Sequence, residues 1–317
     1  MLEVRDLNVS YGPAQAVRGV SFELDRGQTL GVAGESGCGK STMALSLLRL
    51  LPDTAHVTGR VLFEGEDLLT ARWARLRAVR WNAASVVFQG AMSALNPVRT
   101  VGDQICEPIL LHERVSVKAA RRRAAELLDA VGVPARRARD YPHEFSGGQR
   151  QRIMIAMALA CRPDLIVADE PTTALDVMVQ AQILRLLGDL VRESGIGVIM
   201  ISHDLAVLAQ MCERLAVMYA GRIVETGPAR ELIADPRHPY TRALARAFPT
   251  IGDPASRLAP EGLPGDPPRI ADLGGGCAFA PRCASADAAC RTRSVELWPS
   301  GRDRAAACLR VLEGEAS

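Results

Sequence analysis

The chain lacks any apolar run near the roughly 18 residues that cross a bilayer. Its longest, Ile153 to Cys161 and Ile196 to Ile201, are of buried helix or strand length. No basic-then-apolar leader is present either: Met1 leads straight into strand-like alternation, so no signal peptide is expected. Any membrane role is therefore expected to come through partners. Neither sign of charge is in excess. With 38 Lys and Arg against 36 Asp and Glu, the net charge of +2 gives no basic footprint for nucleic acid. Lysine itself is nearly absent, Lys40 and Lys118 being the only two, and no histidine follows His238. What is there is ordinary for a globular protein. The 317 residues suit one large α/β domain plus a smaller appendage, and 48% of them are hydrophobic.

The most informative stretch is Gly34-Glu35-Ser36-Gly37-Cys38-Gly39-Lys40-Ser41, a complete G-x-x-x-x-G-K-[ST] phosphate loop. An apolar strand-like run, Thr29 to Ala33, leads in, and a helix-forming run, Thr42 to Leu51, leads out. Glycines let the backbone curl so that successive N–H groups face phosphate oxygens, assisted by the dipole of the following helix. Lys40 supplies a mobile charge for the β- and γ-phosphates, and the Ser41 hydroxyl suits Mg²⁺. A bound nucleoside triphosphate is the expectation.

Around this loop the sequence reads as alternating strands and helices. Leu2, Val4, Leu7 and Val9 mark a strand over 2–9, Tyr11-Gly12 a turn, Val17 to Leu24 a second strand, and Gly59 to Phe63 a third. Tyr11, returned beside the loop, suits adenine stacking, worth about 1 to 3 kcal/mol. Trp73, Leu76 and Trp81 predict an amphipathic helix over 70–84, and Ser85 to Phe88 a short strand ending at Gln89. Gly90 to Phe145 then shows helical periodicity, with helices near Val101 to His112 and Val117 to Val131 and a basic, solvated loop over 134–139.

Phe145-Ser146-Gly147-Gly148-Gln149 opens another helix, with Ser146 as N-cap and two glycines exposing N–H groups, a second anion-binding terminus. Leu165-Ile166-Val167-Ala168 is a buried-strand run that delivers Asp169 and Glu170. A carboxylate at the end of such a strand is where a phosphate-loop enzyme places its Mg²⁺ partner, and its neighbour can orient or deprotonate a water. Ala174-Leu175-Asp176 precedes a helix over 177–193. A strand over 197–201 ends at Ser202-His203-Asp204, a helix follows over 205–212, and strands run over 214–219 and 222–225. Ligands of open parallel sheets sit at such strand ends.

Cys38, Cys106, Cys161 and Cys212 are scattered and read as core or loop residues. Cys277, Cys283, Cys290 and Cys308 crowd the final 41 residues as C-x₅-C-x₆-C-x₁₇-C. A local site there has four thiolates and no histidine, which suits tetrahedral zinc or a [4Fe–4S] cluster. The close C-x₂₋₄-C pair usual for zinc is absent. Disulfides or free thiols are the remaining options. A Gly- and Pro-rich tail with little apolar content needs such a staple to fold.

With these residues in hand, the chain resembles an ATP-binding cassette (ABC) transporter ATPase. Tyr11 is similar to the family's adenine-stacking aromatic, residues 34–42 to Walker A, Gln89 to the Q-loop and FSGGQ (145–149) to the signature. Leu165 to Glu170 resembles Walker B, Ala174 to Asp176 the D-loop, and His203 the switch histidine. Further stretches resemble the ATPases of peptide and nickel importers: Ser93-Ala94-Leu95-Asn96-Pro97, His238-Pro239-Tyr240-Thr241-Arg242, Leu263-Pro264-Gly265-Asp266-Pro267-Pro268, and Gly276 to Cys283. One departure is Gly90-Ala91, where members commonly carry an acidic residue and proline.

The resemblance implies an α/β fold: a P-loop ABC nucleotide-binding domain over 1–235, with an antiparallel β subdomain and an inserted helical subdomain over about 90–160. A small Cys-rich extension would span 236–317. It implies ATP held by Tyr11, Gly34, Ser36, Gly37, Cys38, Gly39, Lys40, Ser41, Thr42, Gln89 and Asp169. Mg²⁺ would sit on Ser41, Gln89 and Asp169, and Glu170, His203, Gln89 and Lys40 would serve catalysis. Ser146, Gly147, Gly148, Gln149 and Asp176 would act in trans, across a sandwich of two cassettes. Similar importer ATPases carry the four-cysteine set, and some hold a [4Fe–4S] cluster on it. The implied partners are a second cassette subunit, two membrane permeases and an extracytoplasmic binding protein, with no nucleic acid, at the cytoplasmic face of the membrane. The implied task is powering import of di- or oligopeptides, with nickel or a metal chelate as the alternative cargo. Cassettes acting on DNA carry a long coiled-coil insertion, whereas Lys40 and Ser146 are about a hundred residues apart. Ribosomal ones carry two cassettes, and an exporter or inactive cassette fits neither the importer-like tail nor the intact Glu170, His203 and Ser146.

Overall fold

The computed structural model describes residues 1–88, 94–172, 175–247 and 262–314. In chain order, β1 (Leu2–Tyr11), β2 (Ala14–Leu24), β3 (Thr29–Ala33), α1 (Lys40–Leu47), β4 (Ala55–Phe63) and β5 (Glu66–Asp67) come first. There follow α2 (Trp73–Val79), β6 (Ala84–Val87), α3 (Val101–His112), α4 (Val117–Ala130), α5 (Gly147–Ala158), β7 (Leu165–Asp169) and α6 (Val177–Ser194). Then come β8 (Gly197–Ser202), α7 (Leu205–Met211), β9 (Arg214–Tyr219), β10 (Arg222–Pro228), α8 (Ala229–Ala234) and α9 (Pro239–Ala247). The chain closes with α10 (Ala288–Thr292), β11 (Trp298–Gly301), β12 (Arg304–Ala306) and α11 (Leu309–Leu312). Backbone contacts divide it into two units. One comprises Met1–Leu24, Thr29–Leu69 and Met200–Ser317, the other Asp25–Gln28 and Thr70–Ile199.

The first unit contains an antiparallel sheet in the order β2-β1-β4-β5. Its central strand buries Leu2, Val4, Leu7 and Val9. The three-residue step from Val4 to Leu7 breaks the period of two, and the strand takes it up as a bulge, with Asp6 at φ 46°. The same unit holds the strand order β11-β12-β10-β9-β3, in which β3 and β9 run parallel and the other pairs are antiparallel. Met43, Leu47, Leu48, Leu68, Tyr219 and Tyr240 are all fully buried. Each such side chain contributes about 1.5 to 3 kcal/mol on burial.

In the second unit β6 and β7 pair in parallel, every residue of both being buried, as expected for strands covered on two faces. Helices α3 and α4 are capped by Thr100 and Ser116, which accept from the N–H groups of Asp103 and Ala119. They bury Ile105, Ile109 and Leu128.

Two local readings are corrected. The helix expected over 70–84 stops at Val79, because Arg80 is extended and Trp81, at φ 70°, donates back to the Ala84 carbonyl in a tight reversal. Trp73 is 61% exposed, covered by the Arg80 guanidinium 5.0 Å from its ring, and leaves Leu76 and Val79 to the core. The loop expected over 134–139 is a 3-10 turn (Ala135–Arg139), anchored by Arg137, which pairs with Asp140 at 2.7 Å.

Candidate functional site

The phosphate loop joins β3 to α1 in the first unit. Gly34 (φ 152°) and Gly39 (φ 104°) admit no side chain: a Cβ would lie 2.3 Å from the Met218 carbonyl at one and 2.3 Å from the Ala16 carbonyl at the other. Gly39 also stands at the N-cap of α1 and provides no side-chain cap, so the first N–H groups of that helix face outward for an anion. Lys40 is buried and donates from Nζ to the carbonyls of Gly34 (2.7 Å) and Glu35 (2.9 Å). Ser36 and Gly37 are exposed, while Ser41 and Thr42 are half-buried. Cys38 is buried against Lys40, and burial pushes its thiol pKa up. Tyr11 ends β1 and pairs with Ala14 across the turn at Gly12-Pro13, and the carbonyl of Ala16, two residues further on, lies against Gly39. His203 is exposed just beyond β8, and Asp204 next to it caps α7 by accepting from Ala206 and Val207 N–H groups.

A second constellation in this unit was invisible in the sequence. The Glu35 side chain takes a two-pronged ion pair from Arg282, Nη1 to Oε2 at 2.6 Å and Nη2 to Oε1 at 2.9 Å. Arg282 is 6% exposed, and hydrogen bonding to Glu35 holds its pKa above the usual guanidinium value. Its Nη1 also reaches the Tyr219 hydroxyl (3.3 Å), and its Nε donates to the Pro264 carbonyl (2.7 Å). The Glu35 N–H donates to the Tyr240 hydroxyl at 2.9 Å. Tyr219, Tyr240 and Phe279 pack ring on ring with centroids 4.5 to 5.3 Å apart. Helix α9 is begun by His238: its carbonyl accepts from Arg242 N–H, its Nδ1 accepts from Tyr240 N–H, and Pro239 follows. The quoted HPYTR and LPG stretches are thus tied to the phosphate loop, and a buried acid in β10, Glu225, takes the N–H groups of Arg237 and His238.

The second unit carries the other predicted residues. Asp169 is buried at the end of β7, and Glu170 follows at φ 44°, a left-handed conformation rare for a side chain of its kind. Ser146 caps α5 in a reciprocal box with Gln149. Arg137 stacks 4.0 Å over the Phe145 ring and reaches Gln149 Oε1 at 3.5 Å. Gly148 has a steric duty: a Cβ there would lie 2.5 Å from Val179 Cγ1 of α6. Asp176 caps α6, accepting from Val179 N–H at 3.0 Å. Gln89, Gly90 to Ser93 and Ala174 lie outside the described residues.

All eight cysteines are free thiols, and Cys38, Cys106, Cys161 and Cys212 are buried. Cys277, Cys283, Cys290 and Cys308 line one small cavity of about 20 Å³ together with His238 and Phe279. Burial pushes the thiol pKa values of Cys277, Cys283 and Cys290 up, opposed at Cys277 by the nearby Phe279 and Ala280 amides and at Cys283 by that of Ser285. Among the described residues no three His, Cys, Asp or Glu side chains are drawn to metal-ligand spacing.

Residues 17–173 match the family described as ABC transporter, and residues 224–290 that described as oligopeptide/dipeptide transporter, C-terminal region. The dipeptide transport ATP-binding protein DppD of Bacillus subtilis is 47% identical over 92% of this chain and 88% of its own length. The oligopeptide transport ATP-binding protein OppD of Salmonella typhimurium is 44% identical over 99% of this chain and 94% of its own. Among solved structures, a dimeric post-hydrolysis state of the ATP-binding cassette MJ0796, bound to ADP and Pi, covers 73% of this chain and 99% of its own at 29% identity, with a TM-score of 0.65. The fold is therefore that of an ABC-type P-loop ATPase. The chain belongs to the ABC transporter ATP-binding proteins, in the branch that carries the oligopeptide/dipeptide transporter C-terminal region.

Proposed function

We propose that this chain is the ATP-hydrolysing subunit of a peptide importer, converting ATP binding into movement of permease subunits that carry di- or oligopeptides inward. The observation that carries the ATPase part is the uncapped N-terminus of α1 behind Lys40, an anion site built on backbone N–H groups. The peptide part is supported by the C-terminal region over 224–290 and by the names of the relatives, which do not favour nickel. We keep the cassette as residues 1–235 and the extension as 236–317.

In this reading Tyr11 stacks the adenine, residues 34–42 hold the phosphates, and Lys40 leaves its two carbonyls to meet the β- and γ-phosphates. Ser41, Gln89 and Asp169 would hold Mg²⁺, which neutralises charge on the phosphates. The donor chemistry fits: a hydroxyl at the start of α1 and a carboxylate at the end of a buried strand. Glu170 takes a proton from, or orients, the attacking water, with Gln89 and His203 assisting. Ser146, Gly147, Gly148, Gln149 and Asp176 serve the nucleotide of a partner cassette. The chain would sit at the cytoplasmic face of the membrane through two permeases, served by an extracytoplasmic binding protein, with no nucleic acid. Glu170→Gln tests this in the assembled complex. ATP binding should persist while hydrolysis and peptide uptake fall by roughly a hundredfold or more, the usual scale of a lost general base; near-normal turnover would reject it.

A [4Fe–4S] cluster on Cys277, Cys283, Cys290 and Cys308 belongs to the same reading. Its support is that the four thiols of the extension line one cavity. When bound, it would cross-link the extension. Anaerobically purified chain should then hold about four iron and four sulfide; colourless, metal-free protein with a folded extension would remove it.

A further inference from the structure

Nucleotide phosphates and a carboxylate compete for the same positive potential. The phosphate loop carries one acidic side chain, Glu35, beside the Gly34 and Glu35 carbonyls that take Lys40 Nζ. Its carboxylate is spanned by both arms of Arg282, while Tyr240 accepts the Glu35 N–H from the other direction. All three nitrogens of Arg282 in turn are engaged, on Glu35, Tyr219 and the Pro264 carbonyl, and the guanidinium lies 5.9 and 6.0 Å from the Tyr219 and Phe279 rings. The Arg282 side chain is 6% and that of Glu35 21% exposed, so removing one partner leaves the other charge partly desolvated and uncompensated.

We propose that Arg282 is a positioning residue for ATP: through its fork on Glu35 it cancels the loop's one acidic charge and, with Tyr240, holds Glu35 in the conformation that presents the loop to a triphosphate. The extension would thereby set the nucleotide affinity of the cassette. This rests on the reading that residues 34–41 take the phosphates. The hand-off is short, because Arg282 precedes Cys283, which lines the thiol cavity, and Tyr240 follows the His238 cap. A fork of this kind is also specific: lysine carries the charge without the paired geometry.

The test is a nucleotide-affinity cycle on the full-length chain, with Mg–ATP titrated by fluorescence and kcat and KM measured in the assembled complex. The unsubstituted chain should bind Mg–ATP and Lys40→Ala should lose it; failure at this step rejects the phosphate-site reading rather than this one. Arg282→Gln should weaken Mg–ATP by roughly tenfold, the scale of one charge-assisted pair. The loss should appear in KM more than in kcat and shrink as salt is raised. Glu35→Gln/Arg282→Gln, neutral at both positions, should recover most of the affinity. Glu35→Gln alone, which leaves a cation, should bind Mg–ATP at least as tightly as the parent, and this arm holds even if Arg282→Gln does not fold. Unchanged affinity in Arg282→Gln, no recovery in the double variant, or weaker binding in Glu35→Gln would each overturn the proposal.

Discussion

The imidazole of His238 is fully enclosed, and burial pushes its pKa from 6.5 down to about 4, against a hydrogen bond to the Ala307 carbonyl that raises it. The folded chain keeps this ring neutral, while the unfolded chain takes a proton below pH 6.5. Protonation therefore favours unfolding. The contribution is complete above pH 6.5 and is lost as pH falls toward about 4, on the order of 3 kcal/mol across the window. Urea unfolding of the full chain at a series of pH values should show this decline. His238→Asn, whose side-chain oxygen can still accept the Tyr240 N–H, should flatten it; an unchanged slope in that variant would assign the pH response elsewhere. Glu170 raises a related matter at the same scale. Its φ of 44° places a side chain where glycine is favoured, a conformation that costs about 1 to 3 kcal/mol.

Among the elements, α5 and α6 meet where Gly148 has no side chain to offer. A Cβ at 2.5 Å from Val179 Cγ1 cannot be absorbed by rotation of a β-branched neighbour without a shift of one helix. Gly148→Ala should lower stability by about 1 to 3 kcal/mol, and Val179→Ala in the same chain should return most of the loss. Thermal unfolding of the four variants completes the cycle; additive effects would mean that the two residues do not touch. The hairpin of β11 and β12 has its own fastening. Arg304 reaches Glu225 in β10 at 3.3 Å and also bonds to the Asp235 carbonyl, so the C-terminal strands are held to β10 by charge as well as by pairing.

Among the described residues no helix is long and apolar enough to cross a membrane. Under the proposed function the chain should sediment with membranes only when its permeases are present, and binding to protein-free liposomes would contradict that. The signature helix gives a sharper test. Ser146 already caps its own helix, and the resemblance assigns it to a partner's nucleotide. If the partner is a different cassette subunit, Ser146→Arg should abolish hydrolysis at the site built on that subunit's phosphate loop and spare the one built on Lys40. Single-turnover assays with each Walker lysine disabled in turn would separate the two, and loss confined to the Lys40 site would reject action in trans.

The sequence by itself determined the local elements: the phosphate loop between β3 and α1, the buried run that delivers Asp169 and Glu170, the Ser146 cap, and a helix near Val101 to His112. These follow from short-range rules of hydrophobic period, capping and glycine geometry, which act over a few residues and so are written consecutively. Only the tertiary structure decided which distant residues meet. Glu35 and Arg282 are 247 positions apart, neither is exceptional in its own neighbourhood, and their pairing arises because the extension packs its aromatic cluster against the phosphate loop. Gly148 looked like an anion site and proved also to be a packing contact, since a missing Cβ shows its purpose only beside Val179. The four cysteines could be counted in the sequence, but whether they line one cavity depended on how α10, α11 and the turns before them fold together. Side-chain charge and volume are local properties; whether a charge is cancelled or a volume is contested depends on the neighbours that the fold supplies.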